Sequence, residues 1–155
     1  MLLADALPYK AWADRRTLDA VAAIDCRQFP SAMAFARQQL NHMVLVEELF
    51  RARLLAAPEP HRSTNTQEVA ELAERDGRLA ASNEWLGGYV AALTREALRE
   101  RIQFTFTDGK QGSLRREEVI FHLINHGTYH RGAIGHALDL AQAARPADTF
   151  TVFIH

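Results

Sequence analysis

Hydrophobic residues recur along most of this chain at steps of three and four, the period of an amphipathic α-helix. The first such segment runs from about Pro8 to Ile24 and gathers Ala13, Thr17, Ala20, Val21 and Ile24 on one side. Pro8 suits a first turn, where its missing N–H costs nothing. The second runs from about Ser31, an N-cap candidate, to Ala56. Its middle, LNHMVLVEELF, is apolar nearly all round, which predicts burial on more than one side. Pro58 to Thr66 is polar and reads as a loop. A third helix is predicted from about Thr66 to Arg99, with Asn65 and Glu68 at the spacing of a capping pair. Its stripe holds Val69, Leu72, Leu79, Leu86, Val90 and Leu93, together with Asp76 and Asn83. Gly87-Gly88 either bends this helix or admits a close neighbour.

Ile102, Phe104 and Phe106 then alternate as in a short strand, and Asp108-Gly109 signals a turn, so a small hairpin or an extended crossover follows. The last helix is predicted from about Leu114 to Ala143, with Pro146 ending it. The tail DTFTVFIH is expected to be extended and packed back on the helices. Four long amphipathic helices in one short chain predict an all-α four-helix bundle, with residues 1–155 as one domain.

Composition narrows the function. The chain has 155 residues, 48% of them hydrophobic, and a net charge of −1. Nucleic-acid binding by phosphate neutralisation needs a basic excess that is missing, and Arg15-Arg16 and Arg115-Arg116 have acidic residues close by. No apolar run approaches the roughly 20 residues that span a bilayer, and MLLADALPYK does not read as a signal peptide. Cys26 is the sole cysteine, so a cysteine cluster is excluded and a reducing cytoplasm is the expected location. No neighbour in the sequence activates its thiol.

The seven histidines carry the main chemical signal. His122, His126 and His130 are spaced by four in FHLINHGTYHRG, so they stack on one helix face. The outer pair stands about 12 Å apart along the axis, too far for one ion to take all three. A mononuclear site therefore uses one adjacent pair and a third ligand from elsewhere. His42, mid-helix on a stripe with Phe35, Val46 and Leu49, is that candidate, since a buried imidazole needs a hydrogen bond or a metal. His122 reads as a packed core residue or as a hydrogen-bonding neighbour of the ligands. Asp76 and Asn83 either bond imidazole N–H groups or face solvent. His61 and His155 are expected on the surface, and His136 in a structural position. Arg131 points away from the histidine stripe, which favours a salt bridge over substrate binding. Thr128, Gly132 and Gly135 form a small-residue patch opposite that stripe, suited to the first helix or to a second subunit.

LNHMVLVEELF and NHGTYHRGAIGHAL resemble the two histidine motifs of the DinB-like metal-binding bundle family. YKAWADRRTLDA and the tail around Asp148 are similar to the family's beginning and ending, so the resemblance spans nearly the whole chain. The specific part is Asn125, His126, His130, Arg131 and Gly132 with the distant Asn41-His42. The resemblance implies an up-down-down-up four-helix bundle with His42, His126 and His130 as ligands of one divalent transition metal, zinc or nickel. It also implies thiol-dependent chemistry with low-molecular-weight thiols, and a homodimer. Tyr129 and Ala133 depart from the family's usual histidine and glutamine, which leaves the substrate open.

Three neutral histidines leave coordination positions open, the pattern of catalytic metal sites. The expected function is a metal-dependent enzyme that activates a thiol or water, of thiol-dependent transferase or hydrolase type. The alternatives are a non-catalytic metal-binding or stress-response module, and an interaction protein whose histidines only satisfy core contacts. Because amphipathic helices already supply a core, a chelator should leave the helical circular dichroism in place while lowering the melting temperature. Global unfolding on chelation would instead mark a structural metal.

Overall fold

The computed structural model describes residues 2–155. They form α1 (Leu2–Ala22), α2 (Pro30–Leu54), α3 (Leu72–Ala91), α4 (Arg95–Arg99), β1 (Arg101–Thr105), β2 (Gln111–Arg115), α5 (Arg116–Leu140) and α6 (Phe150–Ile154). The protein is mainly helical, with one two-stranded antiparallel hairpin. Of the four long helices, α1 and α2 each pack against both α3 and α5.

Helix ends depart from the sequence reading for local reasons. α1 extends one and a half turns before Pro8. The bond Pro8 cannot make belongs to the carbonyl of Ala4, an exposed residue, so water can take it. α2 begins with Pro30 in its first turn and Phe29 at the cap, so Ser31 is not the N-cap. Asp25 Oδ1 accepts from the Arg27 and Gln28 backbone N–H groups and organises the turn before it.

The third predicted helix is two. Residues 66–71, including Val69, lie outside α3, and Asn65 does not cap it. Asn65 Oδ1 instead accepts from Gln38 and from Asn41 (3.0 Å), which holds the loop against α2 and delays helix entry to Leu72. α3 ends at Ala91, and Thr94 caps the separate α4 through its side chain (3.1 Å to the Ala97 N–H). A Cβ on Gly87 or Gly88 would meet nothing within 4 Å, so neither admits a close neighbour.

The hairpin reading is correct, with Phe104 opposite Gly112 and Phe106 just beyond β1. A Cβ on Gly112 would lie 2.6 Å from the Phe104 ring, so glycine lets that ring lie across the strand. α5 follows β2 without a break, and Glu118 reaches back to the Arg115 N–H at 2.7 Å. The tail is not extended throughout. Phe150–Ile154 turn into α6, because Phe150 and Phe153 thereby reach one side and pack on Tyr9 and Trp12 of α1.

The interior has two apolar clusters. One, towards the hairpin, includes Leu7, Val46, Phe50, Leu86, Phe104, Val119 and Leu123. The other includes Leu18, Val21, Leu40, Met43, Leu79, Ile134 and Leu138. Between them lies a buried polar belt. Lys10 Nζ sits 2.8 Å from Asp14 and 2.6 Å from Glu47. Asp14 also takes Arg131 Nη1 (2.8 Å) and the Asn83 amide (2.9 Å), while Ser82 donates to Glu47. Burial opposes the Lys10 charge, but the two carboxylates hold its pKa above the usual value. Burial likewise works against Asp14, and the Lys10 and Arg131 cations overcome it and lower its pKa.

Arg131 is thus in a structural salt bridge, completed by Asp148 (2.7 Å) in the tail. A Cβ on Gly127 would come 2.7 Å from Arg131 Nη1, so glycine there makes room for the guanidinium. In the expected small-residue patch, Gly135 is covered by Arg145 of the same chain, whereas Gly132 has open space.

Removing one member of a buried ion network leaves its partners desolvated and unpaired. Asp14→Ala should therefore lower unfolding stability by about 3 kcal/mol or more in urea titrations. Asp19→Ala, which breaks an exposed pair with Arg15 on the same helix, should change it by less than about 1 kcal/mol.

Candidate metal centre

His42 lies in the middle of α2, and His126 and His130 lie one turn apart on α5. Because α2 packs on α5, the three rings meet at half-buried positions, with ring centres 4.4–5.0 Å apart. One ring nitrogen from each lies within 4.8 Å of the others.

Two hydrogen bonds decide which nitrogens face inward. His42 Nδ1 is 2.7 Å from the Thr64 carbonyl oxygen, which can only accept, so Nδ1 carries the hydrogen. His130 Nδ1 donates to Gln39 Oε1 at 2.6 Å. Both rings therefore offer an Nε2 lone pair. His42 Nε2 faces His126 Nε2 at 3.0 Å. Two lone pairs at that distance repel unless a proton or a cation is shared between them. Two nitrogens bound at about 2.1 Å to one ion stand roughly 3–3.5 Å apart, so the donor set fits a divalent transition metal. Imidazole outer nitrogens held by a carbonyl or an amide oxygen are the usual support for such ligands.

The electrostatics disfavour charge on His126 and His130. Burial, then repulsion from His130, His42, His122 and Lys10, pushes the His126 pKa down to about 3. Burial, then His42, lowers that of His130 to about 4.

The other residues singled out in the sequence fall elsewhere. Asp76 pairs with Arg15 at 2.5 Å, and Asn83 bonds Lys10 and Asp14, so neither supports an imidazole. The stripe they share turns towards α1, where these cations stand. His122 is not among the converging three. It packs against Phe50 and His126, and burial with the nearby Arg53 charge lowers its pKa. His61 is half-buried and bonded to Glu48 rather than free on the surface, because the loop folds back on α2. His136 is exposed, not structural, and His155 is exposed as expected. Cys26 is exposed and unpaired, and Tyr129 points largely into solvent.

Gln39 and Thr64 were missed by sequence reasoning. Gln39 precedes His42 by three residues, a weak signal. Thr64 acts through its backbone, which leaves no signature in residue type. Beside His126 opens a cavity of about 360 Å³ lined by Val46, Leu49, Phe50, Arg53, Phe106 and His122.

A helical scaffold with three histidines converging on one point defines a protein with a centre compatible with a bound metal ion. A family profile described as the DinB family matches residues 2–155, and the chain belongs to that family. No curated protein and no solved structure matches it. No helix among the described residues is long and apolar enough to cross a membrane.

The depressed histidine pKa values predict a pH dependence of the metal-free protein. An unfolded histidine titrates near 6.5, so between about pH 6.5 and pH 3–4 the unfolded chain binds more protons than the folded one. Stability should be full above pH 7 and fall as pH drops through this window. His126→Ala should flatten that slope in urea titrations from pH 7.5 to 4.5. An equal slope in the variant would place the titrating groups elsewhere.

Proposed function

We propose that this chain is a metal-dependent enzyme in which His42, His126 and His130 hold one divalent transition metal, zinc or nickel. In this reading the four long helices are the family's up-down-down-up four-helix bundle. The observation that carries it is the 3.0 Å approach of His42 Nε2 to His126 Nε2, with the His42 and His130 Nδ1–H groups turned outward to Thr64 and Gln39.

An ion bound there would supply Lewis acidity, lowering the pKa of a thiol or water towards neutrality. The chain's own groups divide the remaining work. Thr64 and Gln39 orient the rings. Val46, Leu49 and Phe50 line the cavity with apolar surface and limit water at the cluster. His122 lies on the same wall, its pKa lowered by burial, and its free imidazole nitrogen can accept the proton released by an incoming thiol or water. The reaction is of thiol-dependent transferase or hydrolase type, in a reducing cytoplasm where low-molecular-weight thiols are the co-substrates. A homodimer through the small-residue patch of α5, where Gly132 has open space, belongs to the same reading.

Protein purified without a nickel column should contain about one zinc or nickel per chain by plasma mass spectrometry. Single alanine variants of His42, His126 and His130 should lose most of it, and His61→Ala should keep it. Thiol transfer to an electrophile panel, or ester hydrolysis, should disappear with chelator and return with metal. Metal-free protein in the native state would sink the proposal. Metal without activity across both panels would leave a non-catalytic metal-binding module.

A further inference from the structure

The cavity beside the histidines has chemically different ends. On α2 its wall is Val46, Leu49, Phe50 and Arg53, which continue the His42 face in steps of three and four. On α5 it is Glu118, His122 and His126, each one turn from the next. Phe106 and Leu114 of the hairpin region close the end away from the cluster. Arg53 stands about 16 Å from His42 along the α2 axis, at 1.5 Å per residue.

Arg53 is an unusual wall residue. Its side chain is 4% exposed, and its guanidinium carbon lies 4.8 Å from the ring centres of Phe50 and Phe104 and 5.6 Å from that of Phe106. Such contacts hold the planar cation in place without using its N–H groups. Of its five N–H donors, one goes to Glu59 (2.6 Å) and one reaches the Thr105 carbonyl at 3.4 Å. Glu59 belongs to the loop after α2 and is 33% exposed. The other carboxylate on the wall, Glu118, is taken by the backbone N–H and side chain of Arg115. Arg53 is therefore a sequestered guanidinium with one carboxylate partner at the rim. A guanidinium presents paired donors that match a carboxylate.

We infer that Arg53 anchors the carboxylate of an elongated small-molecule substrate whose apolar or aromatic body lies along Val46, Leu49, Phe50 and Phe106. The reacting end then points to the His42, His126 and His130 cluster. That last orientation rests on the proposed metal function, whereas the carboxylate site itself requires no metal. Glu59 occupies part of the donor set in the free protein and competes with the incoming carboxylate. The site is consequently a specificity determinant, selecting acids over neutral compounds of the same shape.

The test uses calorimetric titration of the full chain, purified without a nickel column and with its metal content measured, with phenylbutyrate and its neutral analogue phenylbutanamide. The acid should bind at least about tenfold more tightly than the amide, a difference of about 1.4 kcal/mol. Arg53→Gln should abolish that preference. Glu59→Gln, which removes the competing carboxylate from an exposed loop, should strengthen acid binding several-fold and leave amide binding unchanged. If Arg53→Gln does not fold, the opposite sign expected for Glu59→Gln still decides. Equal binding of acid and amide would overturn the inference. So would acid binding that neither variant changes, because the carboxylate would then be on the metal. Metal content measured on each sample separates the two readings. Acid selectivity through Arg53 in a chain that carries no metal would end the metal proposal alone. Metal without acid selectivity would end this inference alone.

Discussion

Lys10 and Arg131 carry two cations into the interior, and neither could remain there if its helix shifted along its neighbours. A buried charge is tolerated only with close partners. Those partners come from different elements: Asp14 on α1, Glu47 on α2 and Asp148 in the tail. Ser82 and Asn83 of α3 complete the set. Apolar side chains above and below would accept several helix registers, since hydrophobic contact is not directional. The belt accepts one. It also explains why burial leaves the Glu47 pKa raised, with Asp14 adding to the effect, while Asp14 itself, held by two cations, is lowered.

The histidine cluster inherits its geometry from this belt. Arg131 follows His130 directly, and Gly127 follows His126, so the α5 residues that meet the belt alternate with those that meet α2. Glu47 lies little more than one turn beyond His42. Once Lys10 is bonded to Glu47 and Arg131 to Asp14, α2 and α5 are both registered against α1, and their histidines face each other. The loop after α2 finishes the arrangement. Gln38 and Asn41 hold Asn65, which brings the Thr64 carbonyl onto His42 Nδ1. Side chains on either side of His42 thus position the carbonyl that orients its ring.

The hairpin serves a different end of the same groove. Gly112 lets the Phe104 ring lie across β2, and Phe104, Phe106 and Phe50 surround Arg53. The cavity therefore runs from neutral imidazoles to a caged cation, with apolar surface between. The C-terminal segment acts on the opposite side, where Asp148 meets both Tyr9 (2.7 Å) and Arg131, and α6 covers the aromatic face of α1. The cavity and the structural closure are kept apart.

The long helices were legible because burial of one face imposes a period of three and four wherever the chain is helical, and α2 and α5 follow it over nearly their whole length. The convergence of His42, His126 and His130 was legible for a related reason: two imidazoles one turn apart share a helix face, a third lies within an apolar run of α2, and the resemblance of their motifs pointed the same way. What faces what was not. Asp76 and Asn83 share a stripe of α3 with its apolar residues, but only packing shows that Asp76 meets Arg15 near the surface and Asn83 meets Lys10, rather than an imidazole. The late start of α3, the turn of the tail into α6 and the half-burial of His61 come from contacts made across the chain, to which local periodicity is blind. Thr64 marks the limit most clearly, since a backbone carbonyl is the same in every residue and only the fold brings this one to a histidine.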